Sequence, residues 1–457
     1  MRYEKTIIAI IDNGINKDQF EGELLFDISV NDLGEIEEEY EQPEIFLHGT
    51  YCAMIIKEIF PECILGSVAI LDGFGKGTFE KLVIALKWCS EHNAKIINLS
   101  LGTTCFQDKL EMQKLVNQYA MNGMCFVAAG TNRDYTITYP ASFTNVLGVE
   151  IGKKFDLSTK IDLGLDFQAP CEKELIMKDG AIKIDFFNSY ACPYITAIVG
   201  KIVQIGKINN ICSIKCYLYS LFYKSYVPYF PDWIYKAYIY EDTSGLEKYY
   251  EFFVVENFDD ADTVIVKNVE VLRKVASSKK HIVYLGKENN ELQSDCRFFW
   301  SRNSKIKQIF NSRIMNKKIT IPIITFEVEN PIEYIRYAYY LKKVLMNEGY
   351  NIYIITFIPE SILCGMEFLP EEILERDNFV LENYLVCEIE ERQYDAILLV
   401  AIRYNIIRLL NNINKQANIR VIIERNIYIY EDGNFIKKIV SPNKEIQLIK
   451  YLLELII

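Results

Sequence analysis

Three side chains, met in the order Asp12, His48 and Ser189, have the types needed to transfer an acyl group. A serine hydroxyl is a weak nucleophile until a histidine takes its proton, and the histidine is held in the right tautomer when a carboxylate binds its other nitrogen. Each residue also has a plainer reading. Asp12 stands in IIAIIDNG, where Asp-Asn-Gly makes a turn by itself. His48, in LHGTYCAMII, directly precedes an apolar helix and reads equally as a neighbour of its cap. Ser189, in FFNSYACPYITAIVGKI, has the place of an N-cap whose oxygen accepts a backbone N–H of the first turn. Pro193 then falls early in the helix, where a missing N–H costs little. Taken singly, the expected roles are turn, neighbour and cap.

The elements that must carry these residues alter that balance. Short apolar, β-branched runs (TIIAIID, CILGSVAI, AKIINLSL, MCFVAAG, NVLGVEI) alternate with amphipathic stretches such as EKLVIALKWCSEHN and DKLEMQKLVNQYAMNG. Near-continuous apolar strands separated by helices predict a parallel sheet covered on both faces, an α/β domain with right-handed crossovers. Asp12 then lies at the carboxyl edge of the sheet, where α/β proteins build their sites. Asp after a first strand, His opening one helix and Ser opening another is one of the chain orders that make an acyl-transfer triad.

On these residues the region resembles the subtilisin-like serine peptidases, the subtilases. The Asp motif is matched by IAIIDNGI and the HGTxVA motif by His48 to Ala53. The GTSMATPHVAG motif is matched by Phe187 to Ala197. IINLSLG resembles the substrate-binding strand, which implies Ser100, Leu101 and Gly102 as substrate contacts. FVAAGTN resembles the segment carrying the oxyanion asparagine, with Ala129 and Gly130 beside the substrate; YPASFTNVLGVE and DFQAPCEKELI follow in the family's order. The resemblance covers about residues 1 to 202. It implies a subtilisin-like parallel sheet, a triad of Ser189, His48 and Asp12, and an oxyanion site made by the Ser189 N–H and a side-chain amide.

Four departures bear on activity. The family's Gly-Asn reads Gly130-Thr131-Asn132 here, so the oxyanion donor is Asn132, or Thr131 with its weaker hydroxyl. Phe187 replaces a glycine two residues before the serine, which threatens to strain the turn or narrow the pocket. Asn188 replaces a threonine, a gentler change, and Tyr194 replaces a histidine at a structural position.

Beyond the first domain (1–207) the sequence predicts a small α/β linker domain over 208–319, with strands TVIVKNV and HIVYLG around VLRKVASSKK. A Rossmann-like or degenerate P-loop-like domain is expected over 320–457. The latter opens IPIITFEV, then EYIRYAYYLKKVLMNEG and YNIYIITF. It weakly resembles a companion domain of bacterial peptide-maturation systems, but EVENPIEY stands where a phosphate loop would, without GxxxxGK[ST]. A nucleotide site is therefore not expected.

Composition bounds the partners. The net charge of −12 repels phosphate backbones and no basic stripe offsets it, which argues against nucleic acid. No apolar run is long enough for a membrane span. Twelve cysteines without a CxxC pair and only three histidines argue against zinc and suit a reducing compartment. No carboxylate cluster suggests calcium, so no cofactor is expected. His92 is expected at a helix C-terminus and His281 at a strand start; the acidic run Glu35 to Glu41 reads as a solvated loop, and the tyrosine-rich stretch Tyr217 to Tyr250 as packing. With the first strand within about ten residues of Met1, neither a signal nor a pro-segment is expected ahead of it. The sequence-level expectation is a cytoplasmic serine endopeptidase that removes the leader of a ribosomal precursor peptide, working with peptide-maturation partners. The alternative is an inactive subtilase-fold scaffold that binds peptides by strand addition.

Overall fold

The computed structural model describes residues 5–20, 24–38, 48–171, 174–177, 180–206, 208, 210–222, 230–241, 245–287, 297–375, 378–440 and 444–456. It falls into two compact units, Met1–Val227 with Ser294–Phe298, and Pro228–Gln293 with Phe299–Ile457.

In the first unit the elements run β1 (Ile7–Asp12), β2 (Leu24–Val30), β3 (Ile36–Glu37), α1 (His48–Ile59), β4 (Ile64–Ala69), α2 (Phe79–Glu91), β5 (Ile96–Leu99), α3 (Lys109–Met121), β6 (Cys125–Ala129) and β7 (Val146–Ile151). They continue with β8 (Asp156–Leu157), β9 (Phe167–Ala169), β10 (Glu174–Met177), β11 (Gly180–Lys183), α4 (Asn188–Gln204) and α5 (Ile211–Ser220). One nine-stranded sheet has the order β3-β2-β4-β1-β5-β6-β7-β9-β8, parallel except for β3 and β8 at its edges. The α/β reading of this region is thus correct, and the apolar runs form its central strands, which are buried on both faces. Helices α2 and α3 pack on one core with Phe126, Ile97 and Leu86; α1 and α4 pack against each other. Placing Asp12 at the end of central β1 puts it between the exits of β4 and β5, at the middle of the sheet's carboxyl edge.

This unit continues past 207. In α5, Lys215 is almost fully buried, pairs with Asp166 at 2.9 Å, and is joined there by the Tyr219 hydroxyl at 2.6 Å. A buried lysine is tolerable only when paired in this way.

The second unit holds two sheets. A parallel five-stranded sheet, order β13-β12-β14-β15-β16, comprises β12 (Lys236–Ile239), β13 (Phe253–Val254), β14 (Thr263–Val266), β15 (His281–Tyr284) and β16 (Phe299–Ser301), with α6 (Val269–Val275) between β14 and β15. After α7 (Arg302–Phe310), capped by the Ser301/Ser304 box, comes a seven-stranded sheet of order β19-β18-β20-β17-β21-β22-β23. Its elements are β17 (Ile323–Val328), α8 (Pro331–Asn347), β18 (Ile352–Thr356), β19 (Glu367–Phe368), α9 (Asn378–Arg392), β20 (Ala396–Ala401), α10 (Arg403–Asn412), β21 (Ile419–Ile423), β22 (Ile427–Glu431), β23 (Asn434–Ile439) and α11 (Lys444–Ile456). The first five strands of that order are parallel and β22–β23 is an antiparallel hairpin. Two residues, 329 and 330, join β17 to α8, too few for a phosphate-cradling loop.

No helix among the described residues is long and apolar enough to cross a membrane. His92 caps the C-terminus of α2 and His281 opens β15. Of the acidic run, Glu39 to Glu41 lie outside the described residues, as do parts of the tyrosine-rich stretch.

Candidate functional site

Asp12 is the last residue of β1 and His48 the first of α1, so a strand end and a helix start bring them together. His48 Nδ1 lies 2.9 and 3.1 Å from the two oxygens of Asp12, whose side chain is 1% exposed. The approach is stitched locally. Asn13 Oδ1 accepts from the Gly49 N–H at 3.1 Å, and the Asn16 N–H donates to Thr50 Oγ1 at 2.8 Å. Gly49 is required here, because a Cβ would stand 2.5 Å from the Gly14 carbonyl oxygen.

The charge on His48 is contested. Burial disfavours the imidazolium, but the Asp12 carboxylate and the Cys52 sulfur outweigh it, and the ring's pKa is pushed up to about 11. Cys52 takes the place of valine in the HGTxVA pattern. It is buried, with Sγ 3.9 Å from His48 Nδ1 and 3.3 Å from the Ser100 hydroxyl. Asp12, His48 and Cys52 also form the one group among the described residues whose donor atoms could share a metal ion, all within 4.8 Å of one another. An ion there would take the nitrogen that Asp12 now holds.

Ser189 is not a cap. The N-cap of α4 is Phe187 and makes no side-chain cap bond, so Ser189 is the second helical residue. Phe187 has φ −122° and ψ 149°, ordinary extended backbone, and its bulk does not strain the turn. Pro193 lies four residues after Ser189 and has no N–H to give the Ser189 carbonyl. That carbonyl accepts instead from Ser100 Oγ at 2.7 Å, itself held by Asn98 Nδ2 at 3.0 Å. Ser100, predicted as a substrate contact, therefore moors the serine turn to the end of β5.

The two oxyanion candidates are held differently. The Asn132 Oδ1 accepts from the Asn188 N–H at 2.9 Å, which sets its amide beside the N–H of Ser189. The Thr131 hydroxyl is turned back to its own loop, accepting from Arg133 N at 3.2 Å, and the Thr131 N–H goes to Thr138 Oγ1. Leu101 is half-buried and Gly102 exposed at the exit of β5; Ala129 and Gly130 are buried at the exit of β6.

Two residues were missed by sequence reasoning. Asn188 is buried and its side chain makes three bonds, accepting from Ile151 N at 2.8 Å and donating to the carbonyls of Gly130 at 3.1 Å and Thr131 at 2.8 Å. Tyr190 lays its ring 4.9 Å from that of His48, and burial raises its hydroxyl well above the usual range. No hydrogen bond links the Ser189 hydroxyl to His48 among the described residues. Such contacts are often long before substrate binds.

Against known proteins, the model of the subtilase family matches residues 4–158. The N-terminal region is on that match subtilase-like. The match contains Asp12, His48 and Asn132 and ends before Ser189. The chain is similar to the cell wall-associated protease of Bacillus subtilis, 26% identical over 211 residues that make up 43% of this chain and 23% of that protein. It is similar also to the thermophilic serine proteinase of Bacillus sp. strain AK1, 31% identical over 33% of this chain and 39% of the relative. The chain thus spans well under half the length of these relatives. Among solved structures, one described as S41 psychrophilic protease aligns with 47% of this chain and 82% of its own, at 18% identity and a TM-score of 0.40.

Proposed function

We propose that the first unit is a serine endopeptidase with Ser189 as nucleophile, His48 as base and Asp12 as the carboxylate that orients it. The observation that carries this reading is the 2.9 Å contact between Asp12 and His48 Nδ1. It leaves Nε2 as the nitrogen available to Ser189. The Ser189 Oγ attacks the scissile carbonyl while Nε2 takes its proton. The imidazolium, stabilised by Asp12, then protonates the leaving amine, and water repeats the sequence on the acyl-enzyme. The developing oxyanion faces the Ser189 N–H and the Asn132 amide, whose other end is already committed to Asn188. Ser100, Leu101, Gly102, Ala129 and Gly130 line the path of the peptide.

The substrate is a specific peptide, a ribosomal precursor that loses its leader, in the cytoplasm and beside maturation partners. Supporting the compartment, the eleven described cysteines are all free thiols. The test is labelling of the full chain by a fluorophosphonate, with Ser189→Ala and His48→Ala as controls. Labelling that both variants lose is expected; a folded protein that resists labelling would overturn the reading.

A peptide-binding scaffold is the second reading, favoured by the absent Ser189 to His48 bond and by a histidine held in its cationic form. It predicts no labelling but retained binding of an extended peptide along Ser100 to Gly102.

A further inference from the structure

Rotation about the Cβ–Cγ bond of a histidine is soft, with no sharp staggered well to fix the plane of the ring. Asp12 holds one edge of His48, at Nδ1, and among the described residues no hydrogen bond holds the other edge to Ser189. Cys52 comes to the same Nδ1 edge, at 3.9 Å, and adds nothing that would set the plane. The plane has to be set by what lies against the ring.

Tyr190 lies there. It stands where the GTSMATPHVAG motif has methionine, and its ring centroid is 4.9 Å from that of His48, the planes 39° apart, nearer to stacked than to edge-on. Tyr190 is itself confined. It directly follows Ser189 in the first turn of α4, and the Ser189 carbonyl is moored to Ser100 Oγ at 2.7 Å. The Tyr51 ring, three residues past His48 on α1, is 6.4 Å away, and Ile55, Cys171, Leu175 and Ile184 complete a buried cluster with both tyrosines. At 4% exposure Tyr190 has nowhere to swing, so it offers His48 the same surface before and after a proton moves. An aromatic ring within about 6 Å also attracts a cation, and the contact strengthens when the imidazole is charged.

We propose that Tyr190 is a positioning residue for the base: its ring fixes the plane of the His48 imidazole, so that Nδ1 stays on Asp12 while Nε2 faces Ser189. The role rests on the peptidase reading of Ser189. A base out of plane costs rate rather than binding, because the angle of the ring matters to the proton transfer and not to the docking of the peptide.

The experiment reads three quantities on the full chain: kcat and KM for the p-nitrophenyl ester of N-acetyl-alanine, and, by NMR, the exchange with water of the low-field proton between His48 Nδ1 and Asp12, assigned by its loss in His48→Ala. Tyr190→Leu fills the space without a flat ring; it should lower kcat about tenfold, leave KM within about twofold, and speed the proton's exchange about tenfold. Tyr190→Phe keeps the ring and should match the wild type in all three within about twofold. Melting curves establish that each variant folds, and Tyr190→Met, flexible and without a ring, carries the test if the leucine variant does not. Proton exchange unmoved in the folded ringless variant would overturn the role whatever happens to kcat, as would a phenylalanine variant impaired as much as the ringless one. A wild type that neither labels with a fluorophosphonate nor turns over the ester would overturn the peptidase reading and this role with it.

Discussion

Two carboxylates occupy equivalent places in the two units. Asp12 ends β1 and Glu327 lies next to the end of β17, each the first strand of a largely parallel sheet and each central in it. Both are buried and both are paired. Asp12 is paired with an imidazole at the start of α1. Glu327 is held by the Arg420 guanidinium from β21, whose Nη2 is 2.8 Å away, with Arg403 at 3.7 Å from the start of α10. A guanidinium never gives up its proton under ordinary conditions, and Glu327 pushes that of Arg420 up further through their hydrogen bonds. The carboxyl edge of a parallel sheet supplies a location; the partner decides whether the location can move a proton.

The sharpest way to break this contrast is Asp12→Asn. It keeps the shape but loses the tautomer control, and fluorophosphonate labelling or ester turnover should fall by about four powers of ten. Next comes Asn132→Asp, in which the new carboxylate still accepts from the Asn188 N–H but offers no donor to the oxyanion. Turnover should drop by about two to three powers of ten, the usual cost of losing one oxyanion donor, with little change in melting temperature. Thr131→Ala should leave turnover within about threefold, and a larger loss would transfer the oxyanion role to Thr131.

The pH profile probes the same pair. A base held protonated to about 11 is mostly unable to accept a proton at neutral pH, so turnover should climb about tenfold per pH unit through the alkaline range below that value. Cys52→Val removes one of the influences that raise it and should move the profile toward lower pH. Because the folded value lies above the ordinary one of 6.5, the pair's contribution to stability is complete below 6.5 and is lost as pH rises through about 11. The smallest effect is expected in the second unit: Glu327→Gln should lower its stability by about 1 to 3 kcal/mol, read by chemical denaturation.

Much of the site could be read before the fold was known, because the residues that carry it are contiguous with strong periodic signals. Asp12 follows an unbroken apolar strand and His48 heads an apolar helix, so their elements were legible. What escaped depends on contacts between distant segments. Asn188 reads as a mild replacement in FFNSY, yet its amide bonds segments 37 to 58 residues away. Lys215 sits in a short helix beyond the expected boundary at 207, and its bond to Asp166, with that of Tyr219, reveals that α5 packs with the first unit. The hairpin β22–β23 was passed over because β23 is almost wholly exposed and shows no buried alternation. The cap reading of Ser189 was reasonable by position and failed by two residues, since α4 starts earlier than its apolar run.

Pro193 has a thermal consequence. Helix ends ordinarily fray before the rest of a protein melts, because their first turn is held only by bonds internal to it. Here the helix withholds one of those bonds and the Ser189 carbonyl is fastened to Ser100 at the end of a buried central strand. On warming, Ser189, the proposed nucleophile, should stay in place until the sheet itself lets go, so heat inactivation and the loss of the sheet would be one event rather than two.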